Sequence, residues 1–261
     1  MKIGFMNDPR LSVEQEVRFA IENGFQFLDL TIEPPCAQPG AFPLEPVRRM
    51  IREGGLDVVG HTAFYLPFDA PYEALRRAAA DIITASLDIF ADLSARFVTV
   101  HLHTSLPFFI KSRMSREELA ESWGEFLSLV LPEFRSRSLT LMLENCPSLQ
   151  DLEFTKILFD AHPEIAFHMD VGHMNLTGKP NKTRVFLEHL GSRLRHVHIS
   201  DNIGGDDLHL PLGAGNIDWP DCLAAVKHLP YDGTITLEVF SPDRSLLIHS
   251  RDKLRSLWDS L

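Results

Sequence analysis

Phe167-His168-Met169-Asp170-Val171-Gly172-His173-Met174-Asn175 is a short apolar run that ends in a carboxylate and an imidazole. Downstream, Arg195-His196-Val197-His198-Ile199-Ser200-Asp201-Asn202 has the same form. Both read as strands that carry metal-ligating side chains to one end of a sheet. Working outward, runs with strand composition cover residues 2–6, 25–30, 56–60, 97–103, 139–143, 165–169, 194–199 and 234–239, and a helical pattern follows each. The first helix opens at Ser12 with Glu16 as its acidic partner, groups Val13, Val17, Ala20 and Ile21 on one face and stops before Gly24. Further helical patterns cover 43–53, 71–95, 115–134, 149–161, 183–190, 219–229 and 245–261. Residues 204–216 are glycine-rich and too polar for a regular element, so a long, flexible functional loop is expected there.

Eight strand–helix pairs with no linker between them predict a parallel α/β sheet. No GxGxxG or GxxxxGK[ST] turn occurs, which speaks against a doubly wound nucleotide-binding sheet. The expected fold is therefore a (β/α)8 TIM barrel, with residues 1–261 as one domain.

The composition fits that reading. Hydrophobic residues make up 44% and charged residues 23% of 261, enough to bury one large core. The formal net charge of −11 repels polyanions, so nucleic acid is disfavoured as a partner. Cys36, Cys146 and Cys222 lack CxxC spacing and read as free thiols of a reducing compartment. The first strand begins at once, without the apolar segment of a signal peptide, and no run reaches membrane-spanning length. A soluble cytoplasmic protein is expected; oligomeric state is not legible, and a homo-oligomer stays open.

In such a barrel the active site lies where the strands end, so the residues closing each strand decide the chemistry. The third strand leads to His61, the fourth to His101 or His103, the fifth to Glu144, the sixth to Asp170 and His173, the seventh to His198 and the eighth to Glu238. Asp207 and His209 lie in the long loop after the seventh. So many ionisable groups at one mouth would be unfavourable without a neutralising cation. Glu144 and Glu238 are the sharpest members, because each follows an aliphatic run and would otherwise be a carboxylate at the edge of an apolar core. Oxygen and imidazole ligands without thiolate suit Mn, Co, Fe, Mg or Zn. His198 is the metal candidate on the seventh strand, with His196 packing lower in the barrel. His103 is held as a substrate contact. Lys111, in the only cluster that mixes basic and aromatic residues, and Glu33, in a Pro-rich turn after the second strand, are further substrate-contact candidates. His162, His168, His189, His228 and His249 read as structural or solvated.

The ordered motifs Leu143-Glu144-Asn145, Asp170-Val171-Gly172-His173, His198-Ile199-Ser200-Asp201-Asn202, the run from Asp207 to Asp218, and Leu237-Glu238-Val239 resemble the xylose isomerase-like TIM barrels, the sugar phosphate isomerase/epimerase group that includes endonuclease IV. In ketose epimerases of that group, the resemblance implies one divalent ion on Glu144, Asp170, His198 and Glu238. The two glutamates then act as an acid/base pair through an enediolate, and His173 touches substrate. The endonuclease IV branch implies up to three ions, with His61, His101, His173, Asp207 and His209 as additional ligands, and hydrolysis of a phosphodiester. The favoured expectation is a metal-dependent isomerase or epimerase of a small sugar, sugar phosphate or hydroxy-keto acid, with the multinuclear phosphodiesterase as the alternative.

Overall fold

A computed structural model describes residues 1–176 and 178–261. Eight parallel strands close into a barrel in sequence order. These are β1 (Lys2–Met6), β2 (Phe27–Ile32), β3 (Asp57–Thr62), β4 (Phe97–Leu102), β5 (Thr140–Asn145), β6 (Ala166–Asp170), β7 (Leu194–Ile199) and β8 (Thr234–Leu237). The helices are α1 (Val13–Glu22), α2 (Leu44–Gly54), α3 (Glu73–Asp92), α4 (Phe108–Lys111), α5 (Arg116–Ser136), α6 (Leu152–Ala161), α7 (Thr183–Leu190), α8 (Trp219–Lys227) and α9 (Ser245–Ser260). The expected TIM barrel is the observed fold. None of the described helices is long and apolar enough to cross a membrane.

Local chemistry explains the boundaries. Ser12 caps α1 in a capping box whose partner is Gln15, the residue at the third helical position. Glu16, expected in that role, instead accepts from the Asp8 backbone and pairs with Arg244. Ile21, expected on the buried face, is 36% exposed. Strand β2 starts and ends two residues later than its apolar run suggested, which brings Thr31 and Ile32 into the strand. Ser115 caps α5 with Glu118 in a second capping box. The ranges of α7 and β7 agree with the sequence reading.

The barrel interior is layered. Phe27, Val59, Met142 and Ala166 form a separate apolar cluster with the partly buried Phe97 against it. Gly4 on β1 leaves room for that layer, since a Cβ there would collide with the Phe27 ring. His196 packs edge-on to Phe27, their ring centroids 5.9 Å apart. With it, Asp29, His61, Thr99, Glu144, His168, His198 and Thr236 are polar yet have no solvent exposure. The main core lies between the strands and the helices.

Candidate metal and active site

Strand register sets the site. Asp170 on β6 is level with His198 on β7, and His101 on β4 is level with Glu144 on β5. One ligand atom from each of Glu144, Asp170, His198 and Glu238 lies within 4.8 Å of the other three. His198 Nδ1 is 3.3 Å from Glu238 Oε2, 3.8 Å from Glu144 Oε1 and 4.0 Å from Asp170 Oδ2. Ligands about 2.0–2.2 Å from a common centre show such mutual separations.

The donors are oriented for a cation. The Asn145 side chain donates through Nδ2 to the Asp170 carbonyl and accepts through Oδ1 from the Asp170 amide, and the His173 amide donates to Asp170 Oδ1 at 2.6 Å. That leaves Asp170 Oδ2, with Glu144 Oε1, buried and without a hydrogen bond among the described residues. Buried carboxylate oxygens left unpaired are costly, and a divalent cation between them removes that cost. This donor set fits the metal expected at these strand ends.

A second group adjoins the first. His61 Nε2 and His101 Nε2 both approach Glu144 Oε2, and the three form their own ligand-like cluster. The Thr62 carbonyl lies 3.1 Å from His61 Nδ1, so that nitrogen donates and Nε2 is left facing Glu144. At the rim, Asp207 Oδ2 lies 3.1 Å from His173 Nε2 and 3.5 Å from His209 Nε2, and His209 reaches Glu238 Oε1 at 3.3 Å. His173 Nδ1 meets the Asn145 carbonyl at 2.7 Å.

Without metal, protons supply the countercharge. Burial disfavours an ionised Glu144, yet His101, His198 and His61 outweigh it and bring its pKa down to about 2. Burial likewise opposes ionisation of Glu238, and His209 and His198 hold it well below the usual carboxylate range. Asp170 is pushed up to about 7 by burial, with Glu238 and Glu144 adding to the rise and His173 opposing it. Burial opposes charge on His198, but Glu144 and Asp29 raise it well above an ordinary imidazole. His209 rises to about 9, where the Glu238 and Asp207 carboxylates overcome burial. His101 falls to about 3, chiefly because it is buried.

A cavity of about 650 Å³ opens above the cluster, and Glu33, His61, His101, His103, His173, Asp207, His209 and Glu238 line it. Glu144 lies beneath, with no solvent exposure. Lys111 faces a neighbouring cleft and donates to the Ser148 carbonyl. His196 sits lower in the barrel, bonded to Thr234 and Asp29. His168 is also interior, with Nδ1 3.0 Å from the Thr99 hydroxyl. Two groups escaped sequence reading. Asp29 bonds both His196 and His198, and its signal was the alternation Phe27-x-Asp29-x-Thr31 in an otherwise apolar strand. Asp201 accepts from the backbones of Asn202, Gly213 and Ile217 and from the Trp219 indole. The segment 204–216 is thus an anchored loop, closed by a bridge between Asp201 and Leu210, rather than the flexible one expected.

A family model described as xylose isomerase-like TIM barrel matches residues 17–257. The uncharacterized protein MJ1311 of Methanocaldococcus jannaschii is 29% identical over 177 residues, covering 64% of this chain and 58% of that protein. An L-ribulose 3-epimerase of Methylomonas sp. is 36% identical over 81 residues, 31% of this chain and 26% of that enzyme. The match spans less than two thirds of each of these curated relatives. A solved structure of a D-tagatose 3-epimerase-like protein superposes with a TM-score of 0.88 at 22% identity, covering 100% of this chain and 98% of that one.

Proposed function

The chain belongs to the xylose isomerase-like TIM barrel family, and on that premise we propose that it is a metal-dependent isomerase or epimerase of a small sugar, sugar phosphate or hydroxy-keto acid. The observation that supports this reading best is the convergence of Glu144, Asp170, His198 and Glu238, with carboxylate oxygens left unpaired between them. These four would hold one divalent ion of Mn, Zn, Co, Fe or Mg type. When bound, that ion supplies a Lewis acid next to the substrate carbonyl. One glutamate takes the proton from the carbon beside the carbonyl, and the other returns it to the opposite face, through an enediolate of the substrate. His173, held by the Asn145 carbonyl and Asp207, and His103, in the cavity wall, would orient substrate hydroxyls. The related L-ribulose 3-epimerase is consistent with this class of reaction.

Solvent exchange tests the reading. The metal-loaded protein should place deuterium from D2O on the carbon next to a ketose carbonyl, and both Glu144→Gln and Glu238→Gln should lose that exchange. Full activity in either variant would refute the acid/base assignment.

One observation favours a second reading. His61, His101, His173, Asp207 and His209 all lie around the same four residues, which supplies the additional ligands of a multinuclear phosphodiesterase. Elemental analysis separates the two, since about one ion per chain fits the epimerase and three fit the hydrolase.

A further inference from the structure

Beneath the proposed ligands lies a carboxylate with no assigned role. Asp29 crosses the barrel interior from β2 to β7, and it has no solvent exposure. Its Oδ2 sits 2.7 Å from His198 Nε2, 2.8 Å from His196 Nε2 and 2.9 Å from the Thr236 hydroxyl. The Thr234 hydroxyl lies 2.6 Å from His196 Nδ1, so it can donate there while Nε2–H of His196 points to Asp29. An imidazole that gives its Nε2 proton to a carboxylate keeps the Nδ1 lone pair for a cation on its other side. In His198 that other side faces Glu144, Asp170 and Glu238.

We propose that Asp29 is the positioning residue of the metal site: its carboxylate, shared with His196, fixes the ring of His198 so that Nδ1 is the ligating atom. This rests on His198 being a metal ligand, as in the proposed function. Removing Asp29 leaves His198 free to rotate or to present the wrong tautomer. Outer partners of this kind contribute about 10- to 100-fold in metal affinity.

The test uses the full chain with zinc alone. Zinc affinity by chelator competition should fall by about 10- to 100-fold in Asp29→Asn, while the thermal transition of the metal-free variant shows that it still folds. Thr236→Val, which removes only the hydroxyl from Asp29, should lose less. Nitrogen-15 NMR of the zinc-loaded wild type should show His198 bound through Nδ1, with a downfield Nε2 proton, and this decides the matter even where Asp29→Asn fails to fold. Ligation of His198 through Nε2, or zinc affinity in Asp29→Asn within twofold of wild type, overturns the proposal while leaving the metal site itself standing. A wild type that binds no zinc overturns both.

Discussion

His61 and His101, from adjacent strands, each place Nε2 3.3 Å from one oxygen of Glu144. A single carboxylate therefore joins the four-residue cluster to the histidine pair beside it. Replacing it affects both. Glu144→Gln keeps the shape, removes the charge that His61 and His198 face, and should lower solvent exchange by about 10²- to 10⁴-fold, the range for a general acid or base. It should also weaken metal binding. Glu238→Gln should show a loss of the same order, and circular dichroism should show both variants folded.

The rim should make the metal-free protein sensitive to alkali. His209 has a folded pKa of about 9, above the ordinary 6.5, because Glu238 and Asp207 overcome its burial. A group raised in this way adds stability that is fully present below pH 6.5 and is lost as pH rises through about 9. Melting temperatures in chelator between pH 6 and 9.5 should fall in that window, and His209→Gln should flatten the fall. Unchanged melting across the window would contradict the ion pairs at the rim.

Asp201 tests whether the loop carrying Asp207 and His209 is held or mobile. Its carboxylate is fully buried and accepts three backbone amides and the Trp219 indole. Asp201→Ala leaves those donors unpaired and should cost roughly 2–4 kcal/mol, since each buried orphan costs about 1–3 kcal/mol and relaxation recovers part. Urea denaturation measures the cost, and Trp219 fluorescence should shift to the red in the folded variant.

The apolar layer under the site should matter for stability alone. Phe27→Ala removes a ring with no solvent exposure, packed with Val59 and Met142, and should cost about 3–5 kcal/mol. Zinc stoichiometry of the protein that remains folded should stay at the wild-type value.

Much of this was legible in the chain. Strand composition followed by helical periodicity recurs eight times, and the limits of α7 and β7 match those the sequence predicts. Glu144, Asp170, His198 and Glu238 were conspicuous as ionisable groups closing apolar runs, and the barrel brings them together. Asp29 was not, because its strand lies across the barrel from His198 and periodicity carries no information about that pairing. The loop 204–216 looked flexible for a related reason. Its order comes from Asp201, outside the segment, and from Gly215, where a Cβ would collide with the Asn202 backbone. Lys111 stands out in the sequence for its cluster of basic and aromatic residues, but its ammonium is turned to the Ser148 carbonyl.

The most direct measurement is proton NMR of ketoses incubated in D2O with the metal-loaded protein. The proposed function predicts deuterium at the carbon adjacent to the carbonyl, its appearance dependent on both Glu144 and Glu238. Ketose C–H signals that stay intact across a panel, while the same preparation hydrolyses a phosphodiester, would contradict it.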